Sequence, residues 1–406
     1  MSKSAANTPQ HHSSLITHHS SLSLMIVAGE ASGDRHGAAL AEALRRLYPA
    51  VTFEMFGAGG EAMRAAGVET LVDAREVAII GIPEIARGIG KLYRAYRRLI
   101  KAARERRPAA VVLIDWPDFN MRMARALRRA GLRIVYYISP QVWAWRRYRV
   151  RALRRDVDRL LVILPFEEEF YRGEGLEVEY VGHPLVEAIR CTSTRDEFCR
   201  RHGLDPSLTI IALLPGSRHK EIHYHVPIMM DAARRLSDAQ FVLPLVSTVS
   251  RDQVTALIAE VPNAPPITLI ERDTYDTLFH AAFAVVASGT ATVEAALAGT
   301  PMVIIYCASQ VNWRLIRPLI HLDTFGMVNL IAGRRIVPEL IQHDATGERI
   351  AKAAHAILSD PQRLAEMRRD LDKVGERLKA GGGAGAERAA RAVMQVANKA
   401  IDCPTN

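Results

Sequence analysis

Short, unbroken apolar runs alternate along this chain with stretches whose apolar residues recur every three or four positions. The runs fall at 24–28, 109–114, 134–138, 160–164 and 178–181, with helix-like segments such as 35–47 and 120–129 among them. Strands that are apolar at every position, rather than at alternate ones, belong to a parallel sheet covered on both faces. The rhythm restarts at 209–214 and continues through 240–245, 266–269, 284–287 and 301–306. The pattern therefore predicts an α/β protein of two doubly wound, Rossmann-like domains facing across a cleft, with the boundary between Gly182-His183-Pro184 and Thr209. A disordered leader is expected over 1–23, one α/β domain over 24–185, a second over 186–346, and helices over 347–406. Gly381-Gly382-Gly383 reads as a flexible break before a last helix at 387–399.

Bulk composition narrows the class. With 406 residues, 49% hydrophobic and 24% charged, the chain suits two folded domains rather than a disordered protein. A net charge of +9 suits nucleic acid, an anionic membrane surface or phosphorylated substrates. Only 6% of residues are aromatic, which leaves little for stacking bases. Cys191, Cys199, Cys307 and Cys403 form no CxxC pair and no zinc-like cluster, which fits a reducing cytosol. The leader repeats His11-His12-Ser13-Ser14-Leu15 as His18-His19-Ser20-Ser21-Leu22 and lacks the layout of a secretory signal. Met25 stands where the true start is a candidate, and no apolar run is long enough to span a bilayer.

In doubly wound domains, ligands collect beyond the carboxyl ends of the strands, so the loops there carry the candidate chemistry. After the run ending at Ala287 come Ser288, Gly289 and Thr290, a small-residue turn into a helix whose free N–H groups suit a phosphate. Glu294 lies further along, where a carboxylate can accept both hydroxyls of a ribose. On spacing alone, an ordinary helix start with a solvent-facing glutamate is the stronger reading. Pro215-Gly216-Ser217-Arg218 follows the run ending at Leu214, with Ser217 expected to cap a helix and Arg218 at its first residue. A guanidinium there can hold a diphosphate and stabilise its departure; a plain surface arginine is the commoner outcome. Glu221 is expected only to favour the positive helix end.

Gly29-Glu30-Ala31-Ser32-Gly33-Asp34 follows the opening run. Its spacing is neither GxGxxG nor a Walker loop, and close substrate approach and tight helix–strand packing account for it about equally. In Ile114-Asp115-Trp116-Pro117-Asp118-Phe119-Asn120, Asp118 is nearer to cap a helix opening at Asn120. That leaves Asp115 as the better general base, although both can simply shape the turn. No constellation suggests a catalytic metal. Ser139 through Trp145 follows another run, and Trp143 and Trp145 there can pack a sugar, an acyl chain or the sheet.

Taken in order, these blocks resemble the lipid-A-disaccharide synthase family, inverting transferases of the GT-B fold. The resemblance runs from Ile26 to about Val337. It includes Gly81-Ile82-Pro83-Glu84, Leu164-Pro165-Phe166-Glu167, Val181-Gly182-His183 and Asn329-Leu330-Ile331-Ala332-Gly333-Arg334 as well as the loops above. It implies transfer from UDP-2,3-diacylglucosamine to 2,3-diacylglucosamine 1-phosphate, giving a β-1,6-linked disaccharide 1-phosphate and UDP, with no cofactor or metal. By the same resemblance Asp115 is the base, Arg218 holds the donor diphosphate, and Asn329 positions nucleotide or sugar. Gly29, Ser32, Gly33, Asp118, His183, Ser217, Ser288, Gly289 and Thr290 are expected to line the substrates, and a wider similarity to GT-B enzymes implies that Glu294 takes the ribose. Such proteins often carry a basic residue after the position of Tyr306, where this chain has Cys307 and Ala308; the expectation is that a donor-side contact is either lost or moved to Arg314 or Arg317.

Between Ile80 and Arg107 lies a separate clue. Ile85, Ile89, Leu92, Tyr96 and Leu99 recur at helical spacing among basic residues that include Arg94 and Arg97. Such a helix suits an anionic bilayer, and a core-packing helix with a charged outer face is the alternative. Acylated substrates favour the bilayer, with Ile85, Ile89, Leu92, Arg94 and Arg97 facing it and the enzyme peripheral to the inner membrane on the cytoplasmic side. A homodimer stays open. The rival functions are another UDP-sugar enzyme on this fold, such as UDP-N-acetylglucosamine 2-epimerase or the N-acetylglucosaminyl transferase of peptidoglycan synthesis, and a nucleic-acid-binding protein, for which no motif exists.

Overall fold

The computed structural model describes residues 21–74, 82–246, 249–310, 313–314, 324–379 and 385–402, with backbone only at 31, 82–89, 145 and 400–402. The first sheet contains β1 (Ser21–Ala28), β2 (Thr52–Gly59), β3 (Glu69–Asp73), β4 (Ala110–Ile114), β5 (Ile134–Tyr137), β6 (Arg159–Val162) and β7 (Glu179–Tyr180). The second contains β8 (Thr209–Leu214), β9 (Ala239–Leu245), β10 (Ile267–Glu271), β11 (Phe283–Ala287), β12 (Met302–Tyr306) and β13 (Glu339–Ile341). Every neighbouring pair is parallel. The orders are β3-β2-β1-β4-β5-β6-β7 and β10-β9-β8-β11-β12-β13, so each sheet reverses direction once, between β1 and β4 and between β8 and β11. The helices connecting such strands diverge to opposite faces at that reversal and leave a crevice there.

Burial explains the unbroken strands. Leu24, Ile26, Val112 and Ile114 join a core on one face of the first sheet, and Met25, Val27, Val111 and Leu113 join one on the other. The second sheet is enclosed in one core that includes Ile211, Leu213, Val285 and Ile304.

Several boundaries differ from expectation. β1 begins at Ser21, inside the span expected to be a disordered leader; residues 1–20, with most of the histidine repeat, lie outside the described residues. β2, β3 and β13 escaped the pattern because their sequences, such as Thr-Phe-Glu-Met-Phe-Gly-Ala-Gly and Glu-Leu-Ile, are broken by charge and glycine or are very short. The helix after β4 opens at Pro117, not Asn120.

The expected helical unit over 347–406 divides between the domains. The Gly347–Leu358 and Pro361–Lys379 helices pack on the second core through Ile350, Ala354, Leu371 and Val374. The Gly385–Asp402 helix crosses back, and its Ala389, Val393 and Ala397 complete the first. Tyr180 donates to the carbonyls of Arg377 and Leu378 at 3.0 Å, and Arg388 Nε to that of Val181 at 2.9 Å, which pins the crossing. Gly381-Gly382-Gly383 lies outside the described residues.

Candidate active site

The four motif loops occupy the two points of reversal. Ala28 pairs with Ile114, so Gly29 and Asp115 leave adjacent strand ends; Val286 pairs with Leu214, so Ser288 and Pro215 do the same. Across the gap, Arg35 of the first domain lowers the proton affinity of Glu294 and of Tyr275 in the second, against the upward push of burial on each. Arg35 and Glu294 are therefore within electrostatic reach of each other across the two domains.

Asp115 is held through its main chain. Its φ is +46° and that of Trp116 is +49°, two consecutive left-handed residues that are not glycine, a conformation costing on the order of 1–3 kcal/mol each. Asn120 Nδ2 donates to the carbonyls of Ile114 at 3.0 Å and Asp115 at 2.8 Å, and the Tyr136 hydroxyl donates to that of Asp115 at 2.7 Å. Asn120 is fully buried, and its Oδ1 has no hydrogen-bond partner among the described residues. Burial, helped by the charge of Glu30, lifts the Asp115 carboxyl from 3.8 to about 6, with the Trp116 N–H opposing. A carboxylate near neutrality is suited to accept a proton.

Gly29 is required by the Trp116 ring, because a Cβ on it would lie 2.1 Å from that ring. The ring stacks on Phe119 at 3.9 Å, and Phe119 meets Tyr96 edge-on at 5.8 Å. A Cβ on Gly33 would meet that of Ala28 at 3.2 Å, so tight packing accounts for this glycine. Ser32 is half-buried beside it. Asp34, not singled out from the sequence, accepts from the N–H groups of Gly60, Ala62 and Met63 at 2.6, 3.0 and 3.1 Å and so anchors the start of the Glu61–Ala65 helix. The signal that could have found it is an aspartate one glycine into a helix with no cap of its own.

Asp118 does not cap the helix, because Pro117 has already begun it with Trp116 as the cap residue. Its carboxylate is 68% exposed and pairs with Arg146 at 3.3 Å and with Arg149. His183 is buried; its Nδ1 accepts from the Leu185 N–H at 3.2 Å, and burial, with nearby His36, lowers it to about 4. His36 is lowered to about 4 as well, by burial and by Arg35. Both imidazoles are neutral at physiological pH. Trp143 proves to be a covering residue: it donates to Glu167 at 3.2 Å, meets Phe166 edge-on, and joins the core of the second domain. Trp145 is described by backbone only.

In the second domain, the helix after β8 spans His219–Ala233, with Arg218 rather than Ser217 at its cap position. Glu221 Oε2 reaches back to the N–H groups of Ser217 at 3.2 Å and Arg218 at 3.3 Å, while its Oε1 meets Arg218 Nη1 at 3.0 Å. Glu221 thus braces the turn, a part larger than the one expected of it. Gly216 has φ +108°, and a Cβ there would come within 2.5 Å of that carboxylate. The Arg218 side chain is 82% exposed, so it can turn toward a ligand. After β11, Gly289 caps the Thr290–Leu297 helix with no side-chain hydrogen bond, which leaves Thr290 exposed at its positive end. Ser288 Oγ donates to the Phe325 carbonyl at 2.9 Å. Glu294 is half-buried and raised by burial.

Asn329 differs from expectation. Its Nδ2 donates to the Val337 carbonyl at 3.0 Å and to Glu339 at 2.7 Å, and its Oδ1 accepts from Ile336 at 2.8 Å and Val337 at 3.1 Å. With both faces of the amide occupied and the side chain buried, Asn329 holds the 336–339 segment rather than presenting polar atoms to a ligand. Arg314 is exposed, and Arg317 lies outside the described residues.

The basic helix spans Ile82–Arg106. Leu99 and Ala103 are buried in the first-domain core, and Leu92 and Tyr96 pack against it. Leu92 therefore serves that core instead of facing a bilayer. Arg94 and Arg97 are exposed, and the side chains of Ile85 and Ile89 fall outside the description. No helix among the described residues is long and apolar enough to cross a membrane.

Residues 24–393 match the family model for lipid-A-disaccharide synthetase. The chain is 45% identical to the lipid-A-disaccharide synthase of Koribacter versatilis, over 93% of this chain and 99% of that one. It is 43% identical to that of Geobacter sulfurreducens, over 95% and 100%. Among solved structures, UDP-GlcNAc 2-epimerase from Neisseria meningitidis superposes with a TM-score of 0.61 at 12% identity, covering 93% of this chain and 99% of that one. MurG from Acinetobacter baumannii gives 0.55 at 13% identity, covering 92% and 99%. At such identities these two likenesses establish the fold alone.

Proposed function

The chain belongs to the lipid-A-disaccharide synthase family, a glycosyltransferase family on the GT-B fold, and from that premise we propose that Asp115 and Arg218 carry its transfer reaction. The substrates are a UDP-sugar and a lipid-linked glucosamine; we take them to be UDP-2,3-diacylglucosamine and 2,3-diacylglucosamine 1-phosphate. The acceptor 6-hydroxyl oxygen attacks the anomeric carbon and its proton passes to the Asp115 carboxylate. The carbon–oxygen bond to the diphosphate breaks on the opposite face, inverting the centre, and UDP leaves with the bonding pair. Arg218 and the N–H groups around Thr290 balance the growing charge on the diphosphate, and Glu294 takes the ribose hydroxyls.

The observation that carries this reading is the pairing of motif loops at the two sheet reversals, with a carboxyl raised to about 6 at one and an exposed guanidinium at the other. The acyl chains of these substrates suit an enzyme that works at an anionic membrane surface, which we take to be the cytoplasmic face of the inner membrane, with Arg94 and Arg97 toward the headgroups.

The test is turnover of the two acylated sugars by the purified chain, followed by disaccharide formation and UDP release. Unchanged turnover in Asp115→Ala or Arg218→Ala overturns the role given to that residue. Formation of UDP-N-acetylmannosamine from UDP-N-acetylglucosamine, with no disaccharide, turns the reading toward an epimerase.

A further inference from the structure

We infer that His225 is a positioning residue for the donor diphosphate, a buried imidazole that ties the 215–218 loop to the segment following β12. The inference rests on the donor-site reading above and adds to it a residue that touches no substrate.

The geometry dictates the imidazole's state. His225 is fully buried in the His219–Ala233 helix. Its Nδ1 lies 2.7 Å from the Pro215 carbonyl oxygen, and its Nε2 lies 2.9 Å from the Cys307 backbone nitrogen. A carbonyl only accepts and an amide N–H only donates, so the proton sits on Nδ1 and the lone pair on Nε2. Burial, the largest influence, lowers the proton affinity of the ring and keeps it neutral. A second proton would set two N–H groups against each other at Cys307.

Both ends of this bridge lie at the donor side. Pro215 is three residues from Arg218, and Gly216 between them has the positive φ that only glycine adopts freely. On the other side, Cys307 follows Tyr306, whose ring centroid is 6.3 Å from that of His225 and whose hydroxyl feels the charges of Glu221 and Arg218. The next residue, Ala308, is clasped by Gln342, which accepts its N–H at 2.8 Å and donates to its carbonyl at 3.1 Å. The segment after β12 is thus fixed at two successive residues, and the arginine loop is referenced to it through one ring. Arg218 itself is exposed and reaches the diphosphate from a flexible stem, so its useful orientation depends on a fixed loop beneath it.

The experiment compares His225→Gln, His225→Asn and His225→Leu in the full chain. A glutamine amide oxygen reaches the Nε2 position and can still accept from Cys307, whereas asparagine reaches only the Nδ1 position. UDP binding is measured by titration calorimetry, donor KM and kcat by initial rates, and amide exchange by mass spectrometry over peptides spanning 302–310. We expect UDP to bind about tenfold more weakly to all three variants, because glutamine opens the bridge at Pro215, asparagine at Cys307 and leucine at both, with donor KM moving in step and kcat moving less. Exchange over 302–310 should rise in the asparagine variant and stay low in the glutamine variant. If the leucine variant does not fold, the asparagine–glutamine pair decides. UDP binding within about threefold of wild type in both of those variants, or exchange over 302–310 equal in the two, overturns the inference. A wild-type chain that binds no UDP overturns the donor-site reading instead, and the exchange result still judges the bridge by itself.

Discussion

Asn120 holds Asp115 by its main-chain carbonyl, at 2.8 Å, and leaves the carboxylate out of the arrangement. The buried amide fixes where the acid points without lowering its proton affinity, and burial is then free to raise it. Position and basicity are set by different neighbours.

The raised carboxyl has two consequences with a definite sign. As a base, Asp115 must be ionised, so kcat/KM should fall as pH drops below about 6, and Asp115→Asn should lose about a hundredfold or more in kcat. For stability the direction reverses. The folded chain binds this proton more tightly than the unfolded chain does, so the contribution of Asp115 is most favourable below 3.8 and is lost as pH rises through about 6. Asp115→Asn should therefore raise thermal stability at pH 8, by up to about 3 kcal/mol, with little gain at pH 4. Calorimetric melts at the two pH values check this; equal shifts would count against the raised carboxyl.

Asn120→Ala should cost about 1–3 kcal/mol in denaturant melts, since the carbonyls of Ile114 and Asp115 lose a donor. It should also lower kcat while leaving UDP affinity near wild type. Tyr136→Phe, which removes one of the two donors to the Asp115 carbonyl, should show the same split more mildly. A loss of UDP affinity equal to the loss in kcat would contradict this division of labour.

Arg218→Ala should be nearly neutral for stability, within about 0.5 kcal/mol, because its side chain is 82% exposed. Turnover should nevertheless fall by about two to three orders of magnitude. Arg218→Lys should recover part of that, a point charge lacking the planar fork. Glu221→Gln is the sharper probe of the turn, because it keeps the shape and weakens the carboxylate that braces Ser217 and Arg218.

Flotation with anionic vesicles tests the basic helix. Arg94→Glu with Arg97→Glu should release the chain from phosphatidylglycerol vesicles, at about 1 kcal/mol or more per residue, and added salt should mimic the change. Leu92→Ser should instead lower the melting temperature, because Leu92 packs on the first-domain core. Binding to vesicles that survives the charge reversals would remove this helix from contact with the bilayer.

The architecture was legible because buried parallel strands are apolar throughout, and ten of the strands announced themselves that way. β2, β3 and β13 did not, since Glu54 and the glycines of the first, the acids at both ends of the second, and the three-residue length of the third hide the run. The motif loops were legible as strand ends, and the sheet order then set them side by side. Individual roles were harder to read. Asp34 and His225 act through main-chain groups remote in sequence and Asn120 through carbonyls five and six residues back, and no spacing rule encodes which main-chain group a buried side chain will meet. Asn329 erred in the other direction: a motif residue whose amide turns inward to the 336–339 segment. Trp143 was ambiguous because a covering indole and a sugar-stacking one follow a strand in the same way, and only its bond to buried Glu167 decides.

The Gly385–Asp402 helix lies on the sheet whose first strand is Ser21–Ala28. During synthesis, the half that carries Ser21–Ala28 stays uncovered along one flank until translation has passed residue 402 and that helix has emerged. The other half can close beforehand. A truncation near residue 380 should therefore damage the opposite end of the polypeptide, exposing Leu40, Leu44 and Ile163 and inviting aggregation of a half whose own strands are all intact.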